Sequence, residues 1–346
     1  MDTVIIRDIN DESMACAGKI IRDGGIVAFP TETVYGLGAS AYNDDAVKKI
    51  YKAKGRPSDN PLIVHLADVS EISKAAREVP ESAQKLFDKF APGPFTVILK
   101  KQPGISDIVT AGLDTVGVRI PQDLTARAFI KAAGVPIAAP SANISGKPSP
   151  TCAEHVLHDM TGRADAIICG GRAKVGVEST IIDCTGEVPV ILRPGGITLE
   201  DVIAVCGSGR LDKHVLSSVA ADEQPKCPGM KYKHYAPDAD VTVVEGGIKS
   251  TEKEILRLVK EHKDMGEKVG VLTMSSIDFG ADLQLSSGKD NRDFARCLFG
   301  ALREFDERKI DTAFVQFCIG DSYGLAVKNR LYKSAGNKII YTEKNI

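Results

Sequence analysis

Ile26-Val27-Ala28-Phe29 is a short apolar run that stops at Pro30-Thr31-Glu32-Thr33-Val34-Tyr35-Gly36-Leu37-Gly38. Four residues rich in β-branched and aromatic side chains, closed by a proline, read as a buried strand and not as a helix. The hydroxyls and glycines that follow suit close contact with a small polar ligand, or the ordinary chemistry of a strand-end turn. The same alternation continues outward. Residues 61–66, 96–99, 116–120, 135–139, 166–169, 179–183 and 190–192 read as further strands. Helical patterns lie between them at 45–54, 81–90 and 125–133, with Gly55 and Gly134 as C-terminal stops. Thr151-Cys152-Ala153-Glu154 reads as a capping box opening another helix. Many strands with interspersed helices predict a mixed α/β or α+β domain with one large sheet over residues 1–206.

Residues 207–240 lose the period and end in Cys227-Pro228-Gly229-Met230-Lys231-Tyr232-Lys233-His234-Tyr235-Ala236-Pro237. Two tyrosines, a histidine and two lysines in a Pro/Gly frame exceed what a tether needs. We read this stretch as a linker that also serves as an active-site lid. From 241 to 346 the pattern is strand, helix, strand, helix, strand, a small βαβ unit with a parallel sheet.

Composition narrows the function classes. The chain has 346 residues, 43% hydrophobic and 26% charged, with a net charge of −2. These are values of an ordinary soluble domain pair, with no bulk charge for nucleic acid or a membrane surface. No apolar run reaches the roughly 20 residues that span a bilayer. Residues 1–7 lack a signal-peptide pattern, and the eight cysteines include no Cys-x-x-Cys pair, so a reduced cytoplasmic chain is expected. Cys152, His155 and His158 have helical neighbour spacing; they are either a metal corner or structural side chains.

The charge that is present is local. Lys48, Lys49, Lys52, Lys54 and Arg56 come with no acid among them and run into Pro57-Ser58-Asp59-Asn60-Pro61. We read Lys48 and Lys49 as a solvated face that complements the helix C-terminus. Lys54 and Arg56, in Lys-Gly-Arg-Pro, are read as lying past the helix end and binding an anion with several phosphates. Arg119, inside the strand pattern Val116-Gly117-Val118-Arg119-Ile120, either faces water or forks onto a ligand carboxylate. Ser141-Ala142-Asn143 through Ser149 suits phosphate contact, or plain turn chemistry. Arg193, before Pro194-Gly195-Gly196, is a second arginine candidate. There is no P-loop, no Gly-x-Gly-x-x-Gly and no His-Glu-x-x-His. The chemistry expected is therefore positioning and charge, without a nucleophile–base pair.

Taken together, these segments resemble the YrdC-like threonylcarbamoyl-AMP synthases. Lys54-Gly55-Arg56 with Ser141-Ala142-Asn143 is similar to that family's Lys-x-Arg and Ser-x-Asn pair. Pro30 to Leu37, Arg56-Pro57, Pro61-Leu62, Val118 to Pro121, Ser179-Thr180-Ile181 and Arg193-Pro194-Gly195 match in order. Pro228 to Pro237 and the C-terminal extension resemble the long, two-domain form. The implied architecture is a YrdC-like mixed-sheet α/β domain with a large twisted sheet, followed by a smaller Rossmann-like βαβ domain. The implied reaction joins L-threonine, bicarbonate and ATP, with Mg2+, into threonylcarbamoyl-AMP and pyrophosphate. The product then passes to a transferase that modifies the adenosine next to the anticodon of tRNA. The resemblance implies Lys54, Arg56, Ser141 and Asn143 as catalytic residues. It implies Thr33, His65, Arg119, Ala139 and Ser179 around threonine. It implies Lys54, Arg56, Asn60, Thr115, Ser141, Asn143, Ser149, Arg193 and Tyr235 around ATP. No side chain is assigned to the metal, and neither membrane nor strong direct nucleic-acid binding is expected. The other readings are a carbamoyl-adenylate-using carbamoyltransferase and an RNA-binding, translation-associated module.

Overall fold

The computed structural model describes residues 2–216, 225–229, 235–318 and 323–343. The chain divides into two compact units, residues 1–145 with 149–232, and residues 146–148 with 233–346.

Among the described residues the first unit carries one mixed, eleven-stranded sheet. Its strands run side by side in the order Val4–Ile6, Ala166–Ile168, Val27–Phe29, Gly36–Ser40, Ile137–Ala139, Ile63–His65, Thr115–Arg119, Phe95–Lys100, Thr180–Asp183, Val190–Arg193 and Arg210–Leu211. The central pairings decide what the sheet presents. Ile63 lies beside Gly117 in parallel register and opposite Ala139 in antiparallel register. Gly117 lies opposite Ile98, Thr96 beside Ile181, and Ile181 opposite Arg193. Directly paired residues share a face and neighbours along a strand alternate. Ile63, His65, Thr115, Gly117, Arg119, Ile137, Ala139, Thr96, Ile181 and Arg193 therefore share one face. The opposite face, with Val64, Val97, Val116, Val118 and Ala138, is sealed in the main hydrophobic core.

Helices Asp11–Arg22 and Leu124–Ala133 cover one end of the first face, over Val27, Phe29 and Ile137. They approach backbone to backbone at Gly18, where a Cβ would sit 2.5 Å from the Ala132 carbonyl oxygen. Cys227 closes a smaller cluster with Ile63, Ile98, Ile181 and Leu192.

Most expected elements are present: the sheet strands, and the helices Asp44–Lys54, Glu81–Phe90 and Leu124–Ala133, with Gly55 and Gly134 in the left-handed region at φ 63° and 72°. Three expectations are corrected. Lys54 is the last residue of its helix and not beyond it. Thr151 does not cap: the helix Ala153–Met160 begins after Cys152 with no side-chain cap, and His155 Nδ1 instead accepts the Thr151 N–H at 3.2 Å. Gly36-Leu37-Gly38 is strand, not ligand loop. Its glycines make room for Phe29, whose ring would lie 3.0 Å from a Cβ at either position.

Among the described residues the second unit has a five-stranded, wholly parallel sheet in the order Leu283–Ser286, Val269–Thr273, Thr312–Phe317, Asp240–Glu245 and Ile339–Tyr341. Helices Ile248–Asp264, Asn291–Glu307 and Gly324–Ser334 connect these strands. The two edge strands escaped the sequence reading because they are short and only half-buried. No helix among the described residues is long and apolar enough to cross a membrane.

Candidate active site

The strand Val27–Phe29 delivers Pro30–Tyr35, and the side chains of this turn point inward: Thr31, Glu32 and Thr33 are all buried. Thr31 organises it. Its Oγ1 donates to Val34 O at 2.6 Å, accepts from the N–H groups of Thr33 and Val34, and lies 2.9 Å from Thr33 Oγ1.

Arg119 ends the strand Thr115–Arg119 and is 4% exposed, so it does not face water. Its Nη2 donates to Glu32 Oε1 at 2.7 Å and to Thr31 Oγ1 at 3.4 Å. Its Nε is buried and has no acceptor among the described residues. Burying a guanidinium donor without an acceptor costs about 1–3 kcal/mol, a cost an anionic ligand removes. His65, beside Arg119 in register, is fully enclosed. Burial, reinforced by the Arg119 charge, pushes its pKa down to about 3. The ring is therefore neutral, and its Nδ1 donates to Ile63 O at 3.1 Å. Phe29 meets it edge-on at 5.8 Å. Ala139 closes the strand Ile137–Ala139 on the same face.

Ser179, fully buried, precedes the strand Thr180–Asp183. Its Oγ lies 2.8 Å from Thr96 Oγ1 and accepts from Arg193 Nη2 at 3.1 Å, while Arg193 Nε donates to Ser179 O. Arg193 Nη1 donates to Pro228 O at 3.4 Å. Arg193 thus ties Ser179 to Pro228, inside the stretch read as linker and lid. Thr115, on the same face, borders a depression with Pro61, Leu62, Thr96 and Cys227.

The basic run separates into exposed and buried members. Lys48 pairs with Asp45 at 2.9 Å and Lys49 Nζ donates to Gly24 O. Lys54 is buried, and its Nζ donates to Ser141 O and Asn143 O, both at 2.5 Å, with Asn143 Oδ1 at 3.4 Å. Ser141 Oγ donates to Asn143 Oδ1 at 2.5 Å, and Lys54 O accepts the Ser145 N–H. Lys54, Ser141 and Asn143 therefore form one hydrogen-bonded knot. Arg56 Nη2 donates to the carbonyls of Asn60 and Pro61, and the buried Asn60 Oδ1 has no donor among the described residues. Ser149 Oγ donates to Glu178 Oε1 at 2.6 Å, and both residues are buried.

Tyr235 belongs to the second unit, where it is buried at φ 64° with its ring 5.1 Å from that of Phe299. Met230 to His234, the middle of the expected lid, fall outside the described residues. On the helix Ala153–Met160, His158 Nδ1 lies 2.9 Å from Asp159 Oδ1, and His155 serves the turn before the helix. All eight cysteines are free thiols.

Sequence reasoning passed over Glu32 and Thr96. Glu32 carried a signal: an acid set among hydroxyls directly after a buried strand needs a cation, and Arg119 was already suspected of needing a partner.

Residues 19–195 match the family described as Telomere recombination, and residues 197–336 match the threonylcarbamoyl-AMP synthase C-terminal domain. The threonylcarbamoyl-AMP synthase of Bacillus subtilis is 48% identical over 336 residues, covering 96% of this chain and 95% of its own length. That of Pyrococcus abyssi is 46% identical over 332 residues, covering 96% of each. The chain belongs to the threonylcarbamoyl-AMP synthase family. Its fold agrees: the structure of P. abyssi Sua5 complexed with L-threonine superposes with a TM-score of 0.93 over 99% of both chains, at 46% identity. Escherichia coli YciO matches 56% of this chain and 95% of its own, with a TM-score of 0.50 and 26% identity. Membership makes the chain an enzyme with synthase chemistry.

Proposed function

We propose that this enzyme condenses L-threonine, bicarbonate and ATP into L-threonylcarbamoyl-AMP with release of pyrophosphate. The observation that carries the reading is Arg119: a buried guanidinium with an idle Nε, beside a neutral histidine, on the face shared with Ala139 and near the Thr31–Thr33 hydroxyls. That is a receptor for a small zwitterion with a carboxylate and a hydroxyl. The threonine bound by the P. abyssi relative supports the choice.

The chemistry asks little of a base. Threonine's amine and bicarbonate give the carbamate and water. One carbamate oxygen attacks the α-phosphorus, the bond to the bridging oxygen breaks, and pyrophosphate leaves with the electron pair. The attacking group is already an anion, so what remains is in-line placement and charge neutralisation. Arg56, Arg193 and Lys54 bring positive charge. Ser141, Asn143, Asn60, Thr115 and Ser149 bring hydrogen-bonding groups for the nucleotide. Thr33, His65, Ala139 and Ser179 shape the threonine end.

ATP enters as its magnesium complex. No cluster of His, Cys, Asp or Glu among the described residues has metal-ligand spacing, while Asn60 Oδ1 is an idle oxygen. This donor set fits a hard cation held chiefly by phosphates and water. The ion supplies charge neutralisation on the phosphates.

The product suits a cytoplasmic transferase acting on the adenosine beside the tRNA anticodon. The deciding experiment measures pyrophosphate release from the full chain. Release that requires both threonine and bicarbonate supports the reading. Release without threonine, or none with all three substrates present, overturns it.

A further inference from the structure

We propose that Glu32 is a positioning residue for the threonine end of the site. It fixes the roll of the Arg119 guanidinium so that the buried Nε is the donor presented to the substrate carboxylate. The inference rests on the threonine reading of Arg119 given above.

The two oxygens of Glu32 do different work. Oε1 accepts from Arg119 Nη2 at 2.7 Å, and Oε2 accepts the Gln122 N–H at 3.1 Å. Gln122 lies three residues beyond Arg119, just past the end of its strand. One carboxylate thus holds both the guanidinium and the backbone that follows it. Thr31 Oγ1 touches the same Nη2 at 3.4 Å from the other side of Glu32 in sequence. With Nη2 held by two acceptors from one turn, the planar guanidinium cannot rotate about its long axis. The direction of Nε follows, because the group is rigid.

A carboxylate is required for this double task. A glutamine has the same shape but one acceptor oxygen. Whichever way its amide turns, its NH2 meets either the Arg119 guanidinium or the Gln122 N–H, donor against donor. Glu32 and Arg119 are each 4% exposed, so water does not repair the mismatch.

The test uses the full chain with Glu32→Gln, Glu32→Asp and, as reference, Arg119→Lys. Pyrophosphate release is measured with threonine and ATP varied separately. Glu32→Gln should raise KM for threonine at least about tenfold while KM for ATP stays within about twofold. Glu32→Asp keeps the charge with a shorter reach and should fall between Glu32→Gln and the native chain. An unchanged or lowered threonine KM in Glu32→Gln overturns the inference, as does a parallel rise of both KM values with falling kcat. If Arg119→Lys is also silent toward threonine, the threonine reading of Arg119 itself has failed. If Arg119→Lys damages threonine use and Glu32→Gln does not, only the positioning role has failed. Should Glu32→Gln not accumulate as folded protein, Glu32→Asp decides by the same pair of KM values: threonine alone affected supports the role, and both or neither affected removes it.

Discussion

Replacing Lys54 by methionine isolates what a buried ammonium does when it bonds to its own protein. Methionine keeps the unbranched stem and its packing, and removes only the charge and the donors. Two short contacts disappear, to Ser141 O and Asn143 O. A hydrogen bond from a charged group contributes about 1.5–3 kcal/mol. Two of them in a buried knot give roughly 3–6 kcal/mol. At about 2–4 °C per kcal/mol for a unit of this size, the melting temperature should fall by on the order of 10 °C. The Ser141–Ser145 turn would lose its anchor at the same time, so ATP use should fall along with stability. The assay is thermal unfolding followed by circular dichroism, paired with threonine- and bicarbonate-dependent pyrophosphate release. If Lys54→Met melts within 2 °C of the native chain (about 1 kcal/mol or less) yet loses ATP use, the ammonium works on the nucleotide directly and the knot is incidental. If both stability and turnover survive, neither role stands.

Arg56→Ala should weaken ATP use by about 1.5–3 kcal/mol with little effect on threonine affinity, read from the two KM values; equal effects on both substrates would remove the assignment. His65 is neutral in the fold because its pKa is pushed from 6.5 to about 3. The unfolded chain therefore takes up a proton below pH 6.5 that the folded chain refuses until about pH 3, and this contribution to stability is lost as pH falls across that window. His65→Asn should flatten the decline in urea midpoint over the window, and parallel profiles would show that the ring does not drive it. Cys227→Asp places a charge among Ile63, Ile98, Ile181 and Leu192. It should expel residues 225–229 from the sheet and release Arg193 from Pro228, seen as faster hydrogen exchange there; unchanged protection would mean that the segment is held by something else.

Strands and helices of the first unit were legible because their apolar runs are short, β-branched and ended by glycine, the signals that local physics reads best. Gly36–Ser40 was not, because its reason for being glycine is the Phe29 ring packed across it, a contact between strands. Lys54 and Arg193 could be marked as cations needing anions or oxygen acceptors. That those oxygens include the protein's own carbonyls is a tertiary fact. Glu32 shows the same boundary. Its need for a cation was in the sequence, but its pairing with a residue 87 positions away was decided by strand order. The second unit's edge strands were missed because they are only four and three residues long, too short for a period to show.

The sharing of one sheet face by Thr115, Gly117 and Arg119 makes this enzyme sensitive to counting. A single residue deleted from the turn before Thr115, if the strand slid to compensate, would exchange the odd positions for the even ones. Val116 and Val118 would then line the face that now carries Arg119, and Arg119 would be driven into the apolar core beneath. No substitution is involved, and every side chain survives, yet the receptor is turned inside out. Length changes within these strands should therefore be tolerated only in pairs, and the chain's room to vary in length lies in its surface turns, where no parity is kept.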